Sequence, residues 1–412
     1  MDTRTVVIGA GMAGARLARL LAPVCDVALL GDEPHAPYNR VLLAEVLAGR
    51  YAPEVIALPP VPGDPDGPGG PGGAGTVRRG VRAVRIDREA RTVHCADGSA
   101  VAYDRLVLAT GSNPVLPPLR GTSGGLPEGV HPFRTLDDCL ALAALARTGT
   151  RAVVIGGGLL GVSAARALAE RGADVVLAHH GPTLMDRHLD PAAGALVRTH
   201  LEGLGVEVHT ECHVRGLRSG GRQTVTGVEL ADGFVLDAEC VVLACGVRPR
   251  TALAAEAGLR VRQGIVVDDE LRTSDPYIHA IGDCAEHSGT VYGLATAAVE
   301  QADTLAARLS GSDPAAAYTG TRALTRLTLG GAGSLDVAAF GEPAPRPGDD
   351  VVQLADATRG AYRKVVVRGD RLVGGVLLGD LATVGALARA WEGDDPLPDA
   401  PLLHLLTTDG GF

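Results

Sequence analysis

An α/β fold is predicted by two copies of one strand–turn–helix pattern and by a change of pattern near the C-terminus. Apolar strands at residues 5–8 and 151–155 each lead into a glycine turn, an Ala/Leu-rich helix and a second strand, at 26–30 and 174–178. After about residue 320, apolar alternation around a Gly-Asp turn is typical of a hairpin, and a helix follows near 380–391. We therefore expect two Rossmann-like dinucleotide-binding domains and a small C-terminal α+β domain.

The composition indicates a soluble globular protein and argues against several partners. A net charge of −10 disfavours nucleic acid, which needs a basic face. The sequence has no apolar run near the roughly 20 residues of a membrane helix and no signal-peptide pattern. The seven cysteines are scattered without CxxC, which suits a reducing compartment. We expect a cytoplasmic protein with no nucleic acid and no membrane contact, and we assign His209, Cys212 and His213 a structural role, with no metal site.

The first glycine turn, GAGMAG, has the spacing of a dinucleotide site. Gly9 permits the tight turn, Gly11 lets the backbone approach a pyrophosphate, and Gly14 lets the helix pack closely on the strand. The helix N-terminus offers free N–H groups to phosphate, and an acid after the second strand can bind ribose hydroxyls. The cofactor-binding candidates here are Gly9, Gly11, Met12, Ala13, Gly14, Asp32 and Glu33.

The second turn, GGGLLG, lacks an acid at the end of the following strand. Its candidates are Gly156, Gly158, Leu159, Leu160, Gly161 and His179. A carboxylate after this strand would favour NADH and an arginine would favour NADPH, but His179 and His180 decide neither. A protonated histidine would favour the 2′-phosphate as pH falls, a neutral one could stack on adenine, and two solvated histidines without a ligand role remain an alternative.

Three later signatures end apolar strands at points where the chain turns sharply. ATGSNP ends a strand at Thr110 and Gly111, CGVRP does so at Gly246, and AIGDCA ends in Gly282 and Asp283 before a helix predicted at 291–309. An acid in that last position suits the ribityl chain and ring of a flavin. The further cofactor-binding candidates are Ala83, Thr110, Gly111, Gly246, Gly282 and Asp283.

These five motifs, in this order over residues 1–310, resemble the pyridine-nucleotide-dependent flavoprotein oxidoreductases. The resemblance implies a nicotinamide domain (114–242) inserted into an FAD domain (1–113 and 243–320), followed by the C-terminal domain (321–412). Residues 33–49 and 134–139 are similar to the flavin domain of assimilatory NAD(P)H nitrite reductases, and the C-terminal part also resembles rubredoxin reductases. The resemblance also implies that Arg40 lies on the FAD pyrophosphate, where its guanidinium can pair bidentately with phosphate.

The sequence departs from the family pattern in three ways. Residues 38–49 contain no cysteine, so disulfide and single-cysteine peroxidase chemistry are not expected. Ferredoxin reductases of this fold pair a lysine near 45 with a glutamate near 163, whereas this chain has Glu45 and Ser163, so we expect that ion pair to be absent. No cluster-binding cysteines follow, so we do not expect nitrite reduction by this chain alone. Glu45 is the one acid/base catalytic candidate; the alternative is a solvated helix carboxylate.

The resemblance implies FAD as cofactor and NADH or NADPH as electron donor. The flavin carries the chemistry, and the protein fixes its geometry. The leading hypothesis is a reductase that feeds a separate iron–sulfur partner: a ferredoxin, a rubredoxin or a nitrite reductase component. The alternatives are a flavoenzyme acting directly on a small molecule, and a flavin-binding scaffold that no longer uses NAD(P)H, which Ser163 and His179 leave open. A homodimer is also left open, and the Pro/Gly-rich stretch 59–76 is expected to be a mobile loop.

Overall fold

The structure is a computed structural model that describes residues 3–64, 76–221, 223–322, 324–330, 333–356, 358–398 and 401–406. Most of the predicted Pro/Gly-rich loop, residues 65–75, lies outside the described residues. The chain divides into two compact units. The first contains Met1–Leu43, Tyr51–Asn113 and Val247–Thr321, and the second contains Ala44–Arg50, Pro114–Gly246 and Arg322–Phe412.

The helices and strands are numbered in chain order. The α-helices are α1 (Met12–Leu21), α2 (Leu43–Leu47), α3 (Leu136–Leu145), α4 (Leu159–Glu170), α5 (Pro191–Gly203), α6 (Ala252–Glu256), α7 (Ala295–Ser310) and α8 (Val384–Gly393). The strands are β1 (Arg4–Ile8), β2 (Asp26–Leu30), β3 (Thr76–Arg78), β4 (Ala83–Asp87), β5 (Thr92–Cys95), β6 (Ala100–Ala102), β7 (Arg105–Leu108), β8 (Ser112–Pro114), β9 (Val130–Pro132), β10 (Arg151–Ile155), β11 (Asp174–Ala178), β12 (Glu207–His209), β13 (Val214–Ser219), β14 (Val225–Leu230), β15 (Val235–Asp237), β16 (Cys240–Leu243), β17 (Val247–Pro249), β18 (Ile265–Val267), β19 (Ile278–Ala280), β20 (Ala285–His287), β21 (Thr325–Leu329), β22 (Leu335–Gly341), β23 (Asp350–Asp356), β24 (Ala361–Arg368) and β25 (Arg371–Leu378). Short 3₁₀ helices cover Arg40–Leu42, Pro53–Ile56, Gly282–Cys284 and Leu402–Leu406.

The first unit is built on a parallel sheet with the strand order β19-β7-β1-β2-β3. Its central strands are continuous apolar runs because helices cover the sheet. Helices α1 and α7 pack against each other, and their buried alanines and leucines join the strand side chains in one core. A small antiparallel sheet, β4-β5-β6, follows β3 in the chain. The carboxyl ends of β1, β2, β7 and β19 therefore meet at one edge, where a dinucleotide fold binds its ligand.

The second unit repeats this arrangement and adds an antiparallel sheet. Its parallel sheet has the order β12-β11-β10-β16-β9, with α4 packed on β10 and β11. The C-terminal sheet has the order β21-β22-β25-β24-β23 and is antiparallel throughout. Helix α8 covers β25, and its Leu387 lies in a core with Phe340, Val365 and Leu377. The predicted C-terminal hairpin is the pair β24 and β25, joined at Gly369, whose φ of 62° suits a tight turn.

The only lysine of the chain fastens this C-terminal sheet to α5. Lys364 is buried on β24, and its Nζ lies 2.9 Å from Oδ2 of Asp190. The same oxygen accepts a hydrogen bond of 2.7 Å from the Tyr362 hydroxyl. Asp190 is also the N-cap of α5 and accepts from the Ala193 N–H at 3.0 Å. One carboxylate thus caps a helix and neutralises a buried ammonium.

The structure confirms the predicted α/β class with a further C-terminal domain. Three of the predicted strands have the expected bounds, 26–30, 151–155 and 174–178. The helix expected at 291–309 begins later, at Ala295, because Gly293 has a φ of 63° and holds the preceding residues out of helix. Within the described ranges no helix combines the length and the apolarity that a membrane span requires.

Candidate functional site

The first glycine turn joins β1 to α1 with the geometry that its sequence predicts. Gly9 has a φ of 114°, and its N–H donates to the Leu30 carbonyl at 2.8 Å. A Cβ at Gly9 would overlap the Ala109 carbonyl oxygen, and one at Gly14 would overlap the Gly9 carbonyl oxygen. Gly11 is the N-cap of α1 and has open space beside it, with only the Arg40 Nε within 4.0 Å of a Cβ built there. The first N–H groups of α1, including those of Met12 and Ala13, begin at this open side.

Both predicted acids of the first turn carry an arginine partner. Glu33 lies 2.5 Å from Nη2 of Arg40, and the Tyr38 hydroxyl donates to its other oxygen at 2.6 Å. Since Arg40 also lies beside Gly11, Glu33, Arg40 and the turn form one group. Burial is the largest single influence on the pKa of Arg40 and lowers it, but Tyr38, Glu33 and Asp32 together raise that pKa above its ordinary value. The guanidinium is therefore charged where a phosphate would approach.

The sequence did not single out Arg250, which the structure brings to Asp32. Its Nη1 lies 2.9 Å from the Asp32 carboxylate, and its Nε donates to the Asn113 side chain. The backbone is fixed as well, because the Arg250 N–H donates to Gly111 and the Arg250 carbonyl accepts from the Thr110 hydroxyl. Thr110 and Gly111, chosen from the ATGSNP motif, therefore hold Arg250 against Asp32.

Gly282 and Asp283 lie at the same edge of the first sheet. A Cβ at Gly282 would come within 3.2 Å of the Ala13 Cβ, which locates Gly282 beside the start of α1. The Gly282 N–H donates to the buried Gln301 side chain on α7 at 2.7 Å. Asp283 accepts a hydrogen bond of 2.9 Å from the Ser112 hydroxyl and is half-buried. The structure thus brings the motifs containing residues 9–14 and 282–283 together at one edge of the sheet.

Two of the other candidates are placed less directly. Ala83 opens β4, whereas the backbone that contacts the segment after β2 is two residues earlier, where the Val81 N–H donates to Gly31 at 2.7 Å. Gly246 has a φ of 97°, and its carbonyl accepts from the Val115 N–H at 2.9 Å. Ala83 therefore lies two residues beyond the backbone that contacts the segment after β2. Gly246 lies at the sharp turn expected after β16.

The second glycine turn, between β10 and α4, repeats the first. Gly156 has a φ of 115°, and its N–H donates to the Ala178 carbonyl at 2.8 Å. Cβ atoms at Gly156 and Gly161 would overlap the carbonyl oxygens of Ala244 and Gly156. Gly158 is the N-cap of α4 and has nothing within 4 Å of a Cβ built there, so the N–H groups at Leu159 and Leu160 begin beside open space. The backbone unit is duplicated in detail.

His179 is not the solvated side chain that one sequence alternative described. It is buried, and its Nδ1 accepts a hydrogen bond of 3.1 Å from the Gly157 N–H, so the ring supports the turn from inside. Burial lowers the pKa of His179, and Asp186 opposes this only in part. The hypothesis of a His179 that becomes charged for a 2′-phosphate near neutral pH therefore loses its physical basis, whereas His180 is exposed.

Glu45 is not a solvated helix carboxylate either. It pairs with Arg166, a fully buried guanidinium on α4, which also lies 3.2 Å from Glu170. Arg50 completes the network, 2.9 Å from Glu170 and 3.4 Å from Glu45. Ser163, the other position where the family pattern is broken, turns its hydroxyl to the Leu159 carbonyl at 2.7 Å. Residue 45 thus keeps an ion pair, with the carboxylate on α2 and the cation one turn after Ser163.

The histidines and cysteines form no evident metal or disulfide site. His209 bonds to Glu207 at 2.6 Å, and within the part of the chain that the structure describes no three His, Cys, Asp or Glu side chains are grouped as metal ligands. The seven cysteines all lie in described parts of the chain, and none of them forms a disulfide bond with another. Burial raises the pKa of Cys245 to about 11 and that of Cys240 to about 12. These thiols are therefore protonated and unreactive near pH 7.

The residues present fit two dinucleotides. Each turn has a glycine at the helix N-cap where a side chain would occupy the space needed by a pyrophosphate, and each helix has no acidic residue in its first turn to repel phosphate. The first turn adds the cation Arg40 and the acids Asp32 and Glu33, which suits the diphosphate and ribose of FAD. The second turn has neither an arginine nor an acid directly after its strand β11.

Comparisons with known proteins agree with this geometry. Residues 3–302 match the family described as pyridine nucleotide-disulphide oxidoreductase, and residues 330–392 match the rubredoxin NAD+ reductase C-terminal domain. The chain is 36% identical over 379 residues to the nitrite reductase [NAD(P)H] of Bacillus subtilis, covering 91% of this chain and 45% of that protein. It is 37% identical over 324 residues to rhodocoxin reductase of Rhodococcus erythropolis, covering 74% of this chain and 72% of that one. These matches confirm the resemblance drawn from the motifs.

A solved structure gives the same result. The ferredoxin reductase for the CYP199A2 system from Rhodopseudomonas palustris superposes with a TM-score of 0.86 at 28% identity, covering 100% of this chain and 98% of that one. The chain spans about half the length of the nitrite reductases that it matches, 45% in the B. subtilis case.

Replacing Arg166 by methionine should destabilise the protein strongly, because Glu45 and Glu170 would lose their buried counter-ion. Breaking a buried ion pair from one side costs about 3–5 kcal/mol, which a lowered midpoint of denaturant unfolding would report. Arg198→Met on α5 is the matched control, since Arg198 is exposed and bonds Glu202 at 2.7 Å within one helix. It should change stability by about 0.5 kcal/mol or less, and equal effects of the two variants would contradict a central role for Arg166.

The Glu45→Gln variant separates an anchoring role from acid/base catalysis. If Glu45 only neutralises Arg166, the variant loses stability but keeps the rate of flavin reduction and its pH profile. A fall in that rate of 10²-fold or more, the scale of a lost general acid or base, would restore Glu45 as a catalytic candidate.

Thiol alkylation at pH 7 should leave flavin reduction unchanged, because burial raises the pKa of Cys139, Cys240, Cys245 and Cys284 and no cysteine forms a disulfide bond with another. Cys245→Ala and Cys212→Ala, at two of the half-buried positions, should likewise keep the rate measured anaerobically by stopped flow. Loss of activity that follows modification of one particular cysteine would show a redox thiol.

Proposed function

This chain belongs to the pyridine nucleotide-disulphide oxidoreductase family, and on that premise we propose that it is an FAD-dependent NAD(P)H oxidoreductase. It takes electrons from a nicotinamide cofactor and delivers them to an acceptor, which we infer to be a separate iron–sulfur protein. The observation that carries the proposal is the duplicated glycine turn. Two helix N-termini, at Gly11 and Gly158, each begin beside space that a Cβ would fill, and the family match spans both.

The FAD-side roles follow from the contacts of the first unit. Arg40 would bind the pyrophosphate together with the N–H groups of α1, since its guanidinium lies beside Gly11. Glu33 and Asp32 would accept the ribose hydroxyls. Arg250 would hold Asp32 in place, because its own backbone is fixed at Thr110 and Gly111. Asp283, oriented by Ser112 at 2.9 Å, would face the ribityl chain.

The nicotinamide-side roles belong to the second turn. The N–H groups at the start of α4 would bind the second pyrophosphate, and Gly158 leaves the approach open. His179 would act indirectly, by fixing the Gly157 N–H at 3.1 Å. FAD, when bound, supplies the hydride-accepting chemistry, and these side chains bind and orient. We retain residues 1–113 with 243–320 as the FAD domain, 114–242 as the nicotinamide domain and 321–412 as the C-terminal domain.

The acceptor is proposed from the relatives' own names. Rhodocoxin reductase and the ferredoxin reductase of the CYP199A2 system are named for redox proteins, and nitrite reductase [NAD(P)H] for a reduction. We therefore propose a ferredoxin, a rubredoxin or a nitrite reductase component as partner. The described cysteines form no disulfide bonds, which is consistent with a reducing compartment, and we propose the cytoplasm.

An anaerobic titration tests the proposal most directly. The purified protein should be yellow, release FAD on heating, and lose the visible absorbance of oxidised flavin when NADH or NADPH is added. If the bound flavin is FMN, the interpretation of the first turn as a dinucleotide site is contradicted. FAD that neither nucleotide reduces would instead support the scaffold alternative.

Single substitutions of the first-turn acids should weaken FAD binding. Asp32→Ala and Glu33→Ala each remove a charge-assisted hydrogen bond of about 1.5–3 kcal/mol, so the FAD dissociation constant should rise roughly tenfold or more. Asp26→Ala is the matched control, because Asp26 begins the same strand, β2, at its opposite end. If all three variants keep FAD equally well, these carboxylates do not bind the cofactor.

A further inference from the structure

The end of β11 carries an inward-facing histidine where a dinucleotide fold usually carries a side chain for the adenosine ribose. His179 is 3% exposed, and its Nδ1 accepts from the Gly157 N–H. Because Nδ1 is the acceptor, the ring proton of neutral His179 lies on Nε2. That nitrogen is buried as well. Position 179 therefore cannot offer its own polar group to a ribose.

The loop that follows β11 returns to the glycine turn and is held there. The Met185 N–H donates to the Gly157 carbonyl at 2.8 Å, and a Cβ at Gly157 would approach the Leu184 side chain to 2.6 Å. Met185 has a φ of 55°, a left-handed conformation that is uncommon for a residue other than glycine. Backbone strain of this kind persists only where the surroundings fix it. Because residues 184 and 185 contact Gly157, the backbone holds residue 186 beside the glycine turn.

Asp186 presents a carboxylate at this position. Its Oδ2 lies 3.8 Å from His179 Nε2, and a Cβ at Gly181 would come within 2.6 Å of the same oxygen. The side chain is 37% exposed, so one side faces the buried histidine and the other remains accessible. A carboxylate beside the ribose accepts hydrogen bonds from its hydroxyls and repels a 2′-phosphate.

We propose that Asp186 supplies the carboxylate that β11 lacks and makes this chain prefer NADH to NADPH. The inference rests on the proposed function, since it assigns the adenosine half of the nicotinamide dinucleotide to the second glycine turn. It replaces the open choice that the sequence left at His179 with a residue seven positions later in the chain.

Three basic side chains near this edge compete with Asp186 and set the design of the test. His180 and His213 are exposed, with ring centroids 6.4 Å apart, and Arg187 is exposed directly after Asp186. The test therefore includes Arg187→Gln beside the Asp186 variants.

Binding of NAD+ and NADP+ to the FAD-loaded protein at pH 8, measured by calorimetry, tests the assignment without turnover. The wild type should bind NAD+ more tightly, and Asp186→Asn should shift the ratio of the two dissociation constants toward NADP+ by about tenfold or more. Asp186→Glu should retain the preference. Asp174→Asn, which removes the same charge at the opposite end of β11, should leave the ratio unchanged. The kcat/KM ratio for NADH and NADPH should follow the binding ratio.

The outcomes separate this inference from the proposed function. Reduction by both nucleotides, with a ratio that Asp186→Asn does not move, overturns the role of Asp186 and leaves the oxidoreductase proposal standing. A preference for NADP+ that Arg187→Gln abolishes also overturns it and assigns the phosphate to Arg187. Failure of both nucleotides to bind or reduce the FAD-loaded protein overturns the proposed function itself.

Discussion

The second unit depends on the neutralisation of one buried cation, Arg166. An unpaired guanidinium inside a protein is prohibitively costly, so Glu45 and Glu170 must stay in place wherever Arg166 stays buried. Arg50 then balances the second carboxylate, and its guanidinium lies where a Cβ at Gly330 would overlap it. This explains why the short segment Ala44–Arg50 groups with the second unit although it follows Leu43 of the first. Ion pairs to the single side chain of Arg166 therefore hold together chain segments that are far apart in sequence.

The sequence was sufficient for features that depend on neighbouring residues. Apolar runs and glycine spacing predicted the strands at 26–30, 151–155 and 174–178 and both turns, because each follows from local geometry. It was not sufficient for partners chosen by folding. Glu45 and Arg166 are 121 residues apart, and Asp32 and Arg250 are 218 apart. Nor does a sequence tell whether His179 turns in or out, since a histidine tolerates both environments.

The two glycine turns have the same backbone geometry but different side chains around them. Both use glycine at the helix N-cap and a left-handed glycine after the first strand. In the first half the acids at the strand end are Asp32 and Glu33, each held by an arginine from another part of the chain or the next loop. In the second half the buried His179 follows β11, and the carboxylate beside it is that of Asp186 on the following loop. The two turns thus share their backbone geometry, whereas the polar side chains around them differ.

The burial of Lys364 also gives this protein an unusual chemical surface. Every other basic side chain apart from the histidines is an arginine, so the only side-chain amine of the chain is the one that Asp190 and Tyr362 enclose. Amine-directed acylating reagents and cross-linkers therefore find no accessible lysine on the folded protein. Acylation of Lys364 would report that β24 has separated from α5, which makes this residue a native probe of opening of the C-terminal sheet.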